Sequence, residues 1–147
     1  MPFLTGSTFP LSLIRRPVLI EPETMENYIR RLQTDRWESF WGHANTLPLA
    51  NRMTGCDLTP KEERPAVRLS AEGLPELHGR AFSECWILSP DYRPGFRPAI
   101  GAEVQAEDIT GWQVLKITWC DQAQLTSGQW SVVSGQSGGL RSCAAGG

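Results

Sequence analysis

His43 and Asn45 lie two positions apart beside an aromatic cluster, and Cys85 sits further along. Together they supply the residue types of a thiol hydrolase: a thiolate nucleophile, a base to activate it and an amide to orient the ring. That chemistry requires sulfur and imidazole within hydrogen-bond reach. Cys85 falls mid-strand between Glu84 and Trp86, where a buried, inert thiol is the simpler expectation. The simpler reading of the pair itself is a helix-capping Asn45 next to a loop histidine. Glu84 is the second candidate. Strand alternation puts Phe82, Glu84, Trp86 and Leu88 on one face, so a partly buried carboxylate there needs an arginine or several N–H donors. Arg93 and Arg97 are the candidate partners, giving either a structural ion pair or the acid of a small hydrolase or transferase.

Between two strand-like runs lies Tyr92-Arg93-Pro94-Gly95-Phe96-Arg97, which interleaves arginines with aromatic rings. The mixture suits a protein interface, where Tyr, Phe and Arg are the common anchors. It also suits base stacking combined with phosphate contact. The simpler reading is a loop tied back onto its own sheet. Tyr92, Arg93, Phe96 and Arg97, with Trp41, His43 and Asn45 nearby, are the expected binding residues. No GxGxxG or GxxxxGK[ST] motif is present.

The elements that must carry these residues follow from periodicity. Met25, Tyr28, Ile29 and Leu32 fall at i, i+3, i+4 and i+7, one apolar stripe of a helix opened by Glu21-Pro-Glu-Thr24. Asn45-Thr46-Leu47-Pro48 begins a second helix, and Gly55 stands where a terminating glycine belongs. Leu11–Ile20 is rich in strand formers but interrupted by Pro17, which predicts an edge strand or a strand with a bulge at Arg16-Pro17. Trp37–Trp41, Pro65–Ser70, Phe82–Leu88, Ile100–Gln105 and Trp112–Trp119 read as further strands, and residues 1–9 as an irregular lead-in. The expected fold class is α+β: a mainly antiparallel sheet of about five or six strands with two helices on one side, a partly open barrel being the variant.

Residues 1–120 are expected to form one globular domain. Residues 121–147, poor in pattern and rich in Gly and Ser, read as a flexible tail in which only 129–133 resembles a strand. A chain of 147 residues, 40% hydrophobic and 20% charged, can bury a core without metal or disulfide. A net charge of −2 excludes a strongly basic nucleic-acid binder without excluding a local patch. Of the 14 basic residues only Lys61 and Lys116 are lysine, a bias that suits bidentate anion recognition and equally a GC-rich genome.

The four cysteines have no zinc-site spacing, so no metal or other cofactor is expected. No signal-peptide pattern and no apolar run of about 20 residues is present, which predicts a cytoplasmic protein with free thiols and no membrane contact. The function these observations favour is a small non-catalytic binding or accessory protein acting on a protein partner through the Tyr92–Arg97 loop. Such proteins are common among mobile elements and phages. A hydrolase or transferase, using Glu84 with Arg93 or Arg97 or Cys85 with His43, and single-strand nucleic-acid binding by the loop are the alternatives.

Overall fold

The computed structural model describes residues 1–99 and 102–121. Among these residues, eight strands, two α-helices and two short 3-10 turns make an α+β fold with no closed barrel. The main sheet has five strands: β1 (Phe3–Gly6), β2 (Val18–Glu23), β3 (Trp37–Ser39), β7 (Glu84–Tyr92) and β8 (Ile109–Trp119). Their order is β2-β8-β7-β1-β3. β2, β8 and β7 are antiparallel neighbours, whereas β1 runs parallel to both β7 and β3. The sheet is therefore mixed rather than mainly antiparallel. A second sheet of three short strands joins β4 (Arg68–Leu69), β5 (Pro75–Leu77) and β6 (Arg80–Ala81). The strands expected at 65–70 and Phe82–Leu88 thus fall in different sheets, the second belonging to the main one.

Helix α1 (Met25–Thr34) begins at Thr24, whose side chain accepts from the Asn27 N–H at 3.1 Å. One of the four orphan donors of the first turn is satisfied in this way. Its stripe buries Tyr28 and Leu32 against Phe3, Trp86, Leu88 and Val114 on one face of the sheet. Helix α2 (Leu47–Thr54) brings Ala50 to the same cluster and ends at Gly55 in the left-handed conformation, φ 72°. The opposite face of the sheet carries a second cluster, in which Leu4, Cys85, Ile87 and Ile117 meet Leu77 and Phe82.

β1 lies where an irregular lead-in is expected. All four of its residues are buried, so it has no alternation to read. Pro17 precedes the edge strand β2 rather than interrupting it, and residues 11–13 form a 3-10 turn. Of the strand expected across 100–105, residues 102–105 are irregular and lead into a 3-10 turn, η2 (Ala106–Asp108), while 100 and 101 lie outside the described residues. The strand and tail expected beyond Asp121 lie outside the described residues. Cys56 and Cys85 are free thiols, whereas Cys120 is disulfide-bonded, so the expectation of free thiols throughout does not hold. No helix among the described residues is long and apolar enough to cross a membrane.

Candidate ligand cleft

Because β1 is parallel to β3 and β7, the carboxyl ends of all three point to one edge of the sheet. Ser7 follows β1, Gly42 and His43 follow β3 after a short extension, and the Tyr92–Arg97 loop follows β7. In open sheets, ligand sites gather at the carboxyl ends of parallel strands. Here that edge holds a cleft of about 740 Å³ walled by Gly42–Asn45 on one side and by Tyr92, Phe96 and Arg97 on the other. Five of the expected binding residues, His43, Asn45, Tyr92, Phe96 and Arg97, meet in it.

Each wall is held by specific bonds. His43 Nδ1 lies 2.6 Å from the Ser7 hydroxyl, and Ser89 donates to the Ser7 carbonyl at 3.0 Å. The His43 carbonyl accepts from Trp41 Nε1 at 3.0 Å, the Thr46 N–H at 3.1 Å and the Thr46 hydroxyl at 3.2 Å. Trp41 is thus a buried anchor, 2% exposed, that fixes the turn carrying His43 and does not itself line the cleft. On the other wall, Gly95 (φ 82°) allows the Phe96 N–H to reach the Arg93 carbonyl at 3.0 Å. Tyr92 and Phe96 form a tilted ring pair with centroids 5.4 Å apart. Burial pushes the Tyr92 hydroxyl above its ordinary range. Arg93 does not line the cleft; its Nε donates to Asp108 at 3.0 Å.

Among the described residues, the Arg97 guanidinium, the Asn45 amide and Nε2 of His43 have no internal partner. Three unspent polar groups and a pair of aromatic rings therefore face one concavity. No group of three or more His, Cys, Asp or Glu among the described residues is placed to hold a metal.

The two catalytic pairings expected from sequence are not formed. Glu84 is buried, but its partners are Arg31 of α1 and Trp86 of its own strand rather than Arg93 or Arg97. Arg31 of α1 lies 2.6 Å from its Oε1, and Trp86 Nε1 donates to the same oxygen at 2.6 Å. Arg31 also stacks over Phe3 and Trp86. Glu84 is accordingly a structural carboxylate, remote from Arg93 and Arg97 in bonding. Cys85 is wholly buried in the second core cluster. Burial, then the neighbouring Glu84 charge, pushes its thiol well above the usual value, and the imidazole of His43 is bonded to Ser7 instead.

Ser7 carries no signal in the sequence, because a single hydroxyl in Thr5-Gly-Ser-Thr8 has no pattern, and Asp108 carries none because nothing local points to Arg93. No protein-family model matches the chain, and no curated protein matches it. Among solved structures, B116 of Sulfolobus turreted icosahedral virus is similar at a TM-score of 0.49 and 13% identity, covering 80% of this chain and 99% of that one. A likeness at that level carries no argument about what this chain does.

Proposed function

We propose that the cleft binds a phosphate-bearing ligand with a flat ring, a nucleotide or a short single strand of nucleic acid. The observation that carries this reading is the convergence of the Arg97 guanidinium, the Asn45 amide and Nε2 of His43, none of them partnered among the described residues, beside the Tyr92–Phe96 ring pair. Arginine and imidazole suit phosphate oxygens. The aromatic pair offers a face for a base, and an amide can pair with a base edge. A cleft of this size lies in the range of about 300–1,000 Å³ that small-ligand sites occupy. Its concavity suits such a ligand better than the flat protein partner the loop composition alone favours. The net charge of −2 confines the attraction to this local patch.

The test is fluorescence anisotropy with a fluorescein-labelled mixed-sequence strand of about eight nucleotides, in RNA and DNA forms, across a salt series. The expected result is saturable binding that weakens steeply with salt. Arg97→Ala is expected to cost about tenfold or more, the loss of a charged hydrogen bond to the ligand. No saturable binding of either strand at low salt sinks the reading.

A second reading rests on the bond between Ser7 and His43. Ser7 is 5% exposed and so positions the imidazole rather than acting itself. A fixed imidazole beside a bound phosphodiester can carry a proton as general acid or base. Cleavage of the same strands that disappears in His43→Ala supports it; strands left intact by the wild-type chain leave a binding site alone.

A further inference from the structure

Arg93 and Asp108 join the cleft loop to a second segment of the chain. Beyond Asp91, which pairs with Gly111, the β7–β8 ladder shifts register, so that Tyr92 lies opposite Ile109. The Arg93 N–H then reaches the Asp108 carbonyl at 2.9 Å, while the Arg93 Nε reaches Asp108 Oδ1 at 3.0 Å. The other oxygen, Oδ2, accepts from the Gln105 N–H at 3.0 Å. Asp108 is only 8% exposed, so both carboxylate oxygens are committed to holding chain. The Arg93 guanidinium lies 4.8 Å above the Phe96 ring, which in turn meets Tyr92. One carboxylate thereby fixes, through one arginine, the rings and the backbone that lead to Arg97. Gln105 belongs to the stretch that lines a groove together with Asn45, Pro48 and Arg52.

We propose that Asp108 is the positioning residue of the cleft: acting through Arg93, it holds Tyr92, Phe96 and Arg97 in their binding arrangement. This rests on the nucleotide reading above. The energetic reason is entropic. Holding the loop in advance removes an ordering cost that the ligand otherwise meets on binding. A loop released from Asp108 keeps every contact residue but loses their joint geometry.

The experiment measures two quantities on the full chain: hydrogen exchange at the Arg93 and Phe96 amides, and affinity for the fluorescein-labelled eight-nucleotide strand. The variants are Asp108→Asn, Arg93→Gln and Arg97→Ala. Asp108→Asn and Arg93→Gln are each expected to speed Phe96 exchange and to weaken the probe about tenfold. Arg97→Ala is expected to weaken the probe with exchange unchanged. Arg93 is half exposed, so Arg93→Gln keeps the test intact if Asp108→Asn fails to fold. Unchanged Phe96 exchange in the first two variants overturns the proposal whatever the probe does. Faster exchange with undiminished affinity also overturns it, while loss of binding in Arg97→Ala leaves the cleft reading standing. No binding by the wild-type chain removes the cleft reading and this proposal together.

Discussion

Ser7 Oγ lies 2.6 Å from His43 Nδ1, although 36 residues separate them. The bond ties the residue after one parallel strand to the segment that follows its neighbour, and it sets the plane of the imidazole. Ser7→Ala is expected to free the ring at little cost to the fold, about 0.5–1.5 kcal/mol for one hydrogen bond. Probe affinity is expected to fall about threefold to tenfold in Ser7→Ala and further in His43→Ala. Equal affinities of wild type and Ser7→Ala by anisotropy contradict the positioning role.

Glu84 receives Arg31 and Trp86 on one oxygen. Removing it leaves a half-buried cation and a buried indole N–H without their acceptor, although Arg31 retains Asp35 at 2.9 Å. Glu84→Ala is expected to destabilise by about 2–4 kcal/mol, at or below the usual cost of breaking a buried pair. Glu84→Gln, whose amide oxygen still accepts from Trp86, is expected to cost less. Urea denaturation midpoints decide it, and a Gln variant no more stable than the Ala variant contradicts the assignment.

The two free thiols differ in surroundings. Cys85 is fully buried, and burial and the Glu84 charge both disfavour its thiolate, whereas Cys56 is partly exposed. Only the thiolate reacts appreciably with iodoacetamide. Brief alkylation of the native chain near pH 8 followed by peptide mass spectrometry is expected to label Cys56 and spare Cys85. Labelling of both at similar rates means that the strand opens far more readily than its packing implies.

The Gln105 N–H, and then Arg93, hold the Asp108 carboxyl below its ordinary range. A depressed pKa makes the folded state bind fewer protons than the unfolded one. The contribution is therefore complete above the unfolded value of about 3.9 and is lost as pH falls through the folded value. Phe96 amide exchange, corrected for its intrinsic pH dependence, is expected to stay level from neutrality to about pH 4 and to rise below it. Asp35 and Asp57 are lowered as well, so the comparison with Asp108→Asn isolates this residue: that variant shows no such step. A rise that begins near neutrality is inconsistent with Asp108 as its source.

Parts of the fold with local periodicity were legible in the sequence. The Met25–Leu32 stripe and the Thr24 cap define α1, Pro48 and Gly55 bracket α2, and β3 covers Trp37–Ser39 of the strand expected over 37–41. β1 was not legible, because a strand buried on both faces over four residues shows no period. That omission also hid the parallel pairings, and with them the reason His43 meets the Tyr92–Arg97 loop. The residue types of the cleft could be nominated from sequence, but not their sorting. Trp41 and Arg93 look like contact residues and serve instead as anchors, a difference set by Trp41's burial and by Asp108 fifteen residues beyond Arg93. Glu84 needed a partner, yet proximity in sequence pointed to Arg93 and Arg97 while the sheet brought Arg31.

The parallel placement of β1 also bears on how the chain is made. Phe3–Gly6 is made before the other strands of its sheet, but its neighbour β7 begins only at Glu84. At about 5–20 residues per second, roughly 4–16 s pass before that partner is synthesised. For that interval four apolar or small residues lack the β7 backbone as partner for their N–H and C=O groups. The earliest-made piece of the sheet is thus the one whose inner neighbour arrives late, and its protection during synthesis falls to the ribosome surface, to chaperones or to a transient pairing with β3.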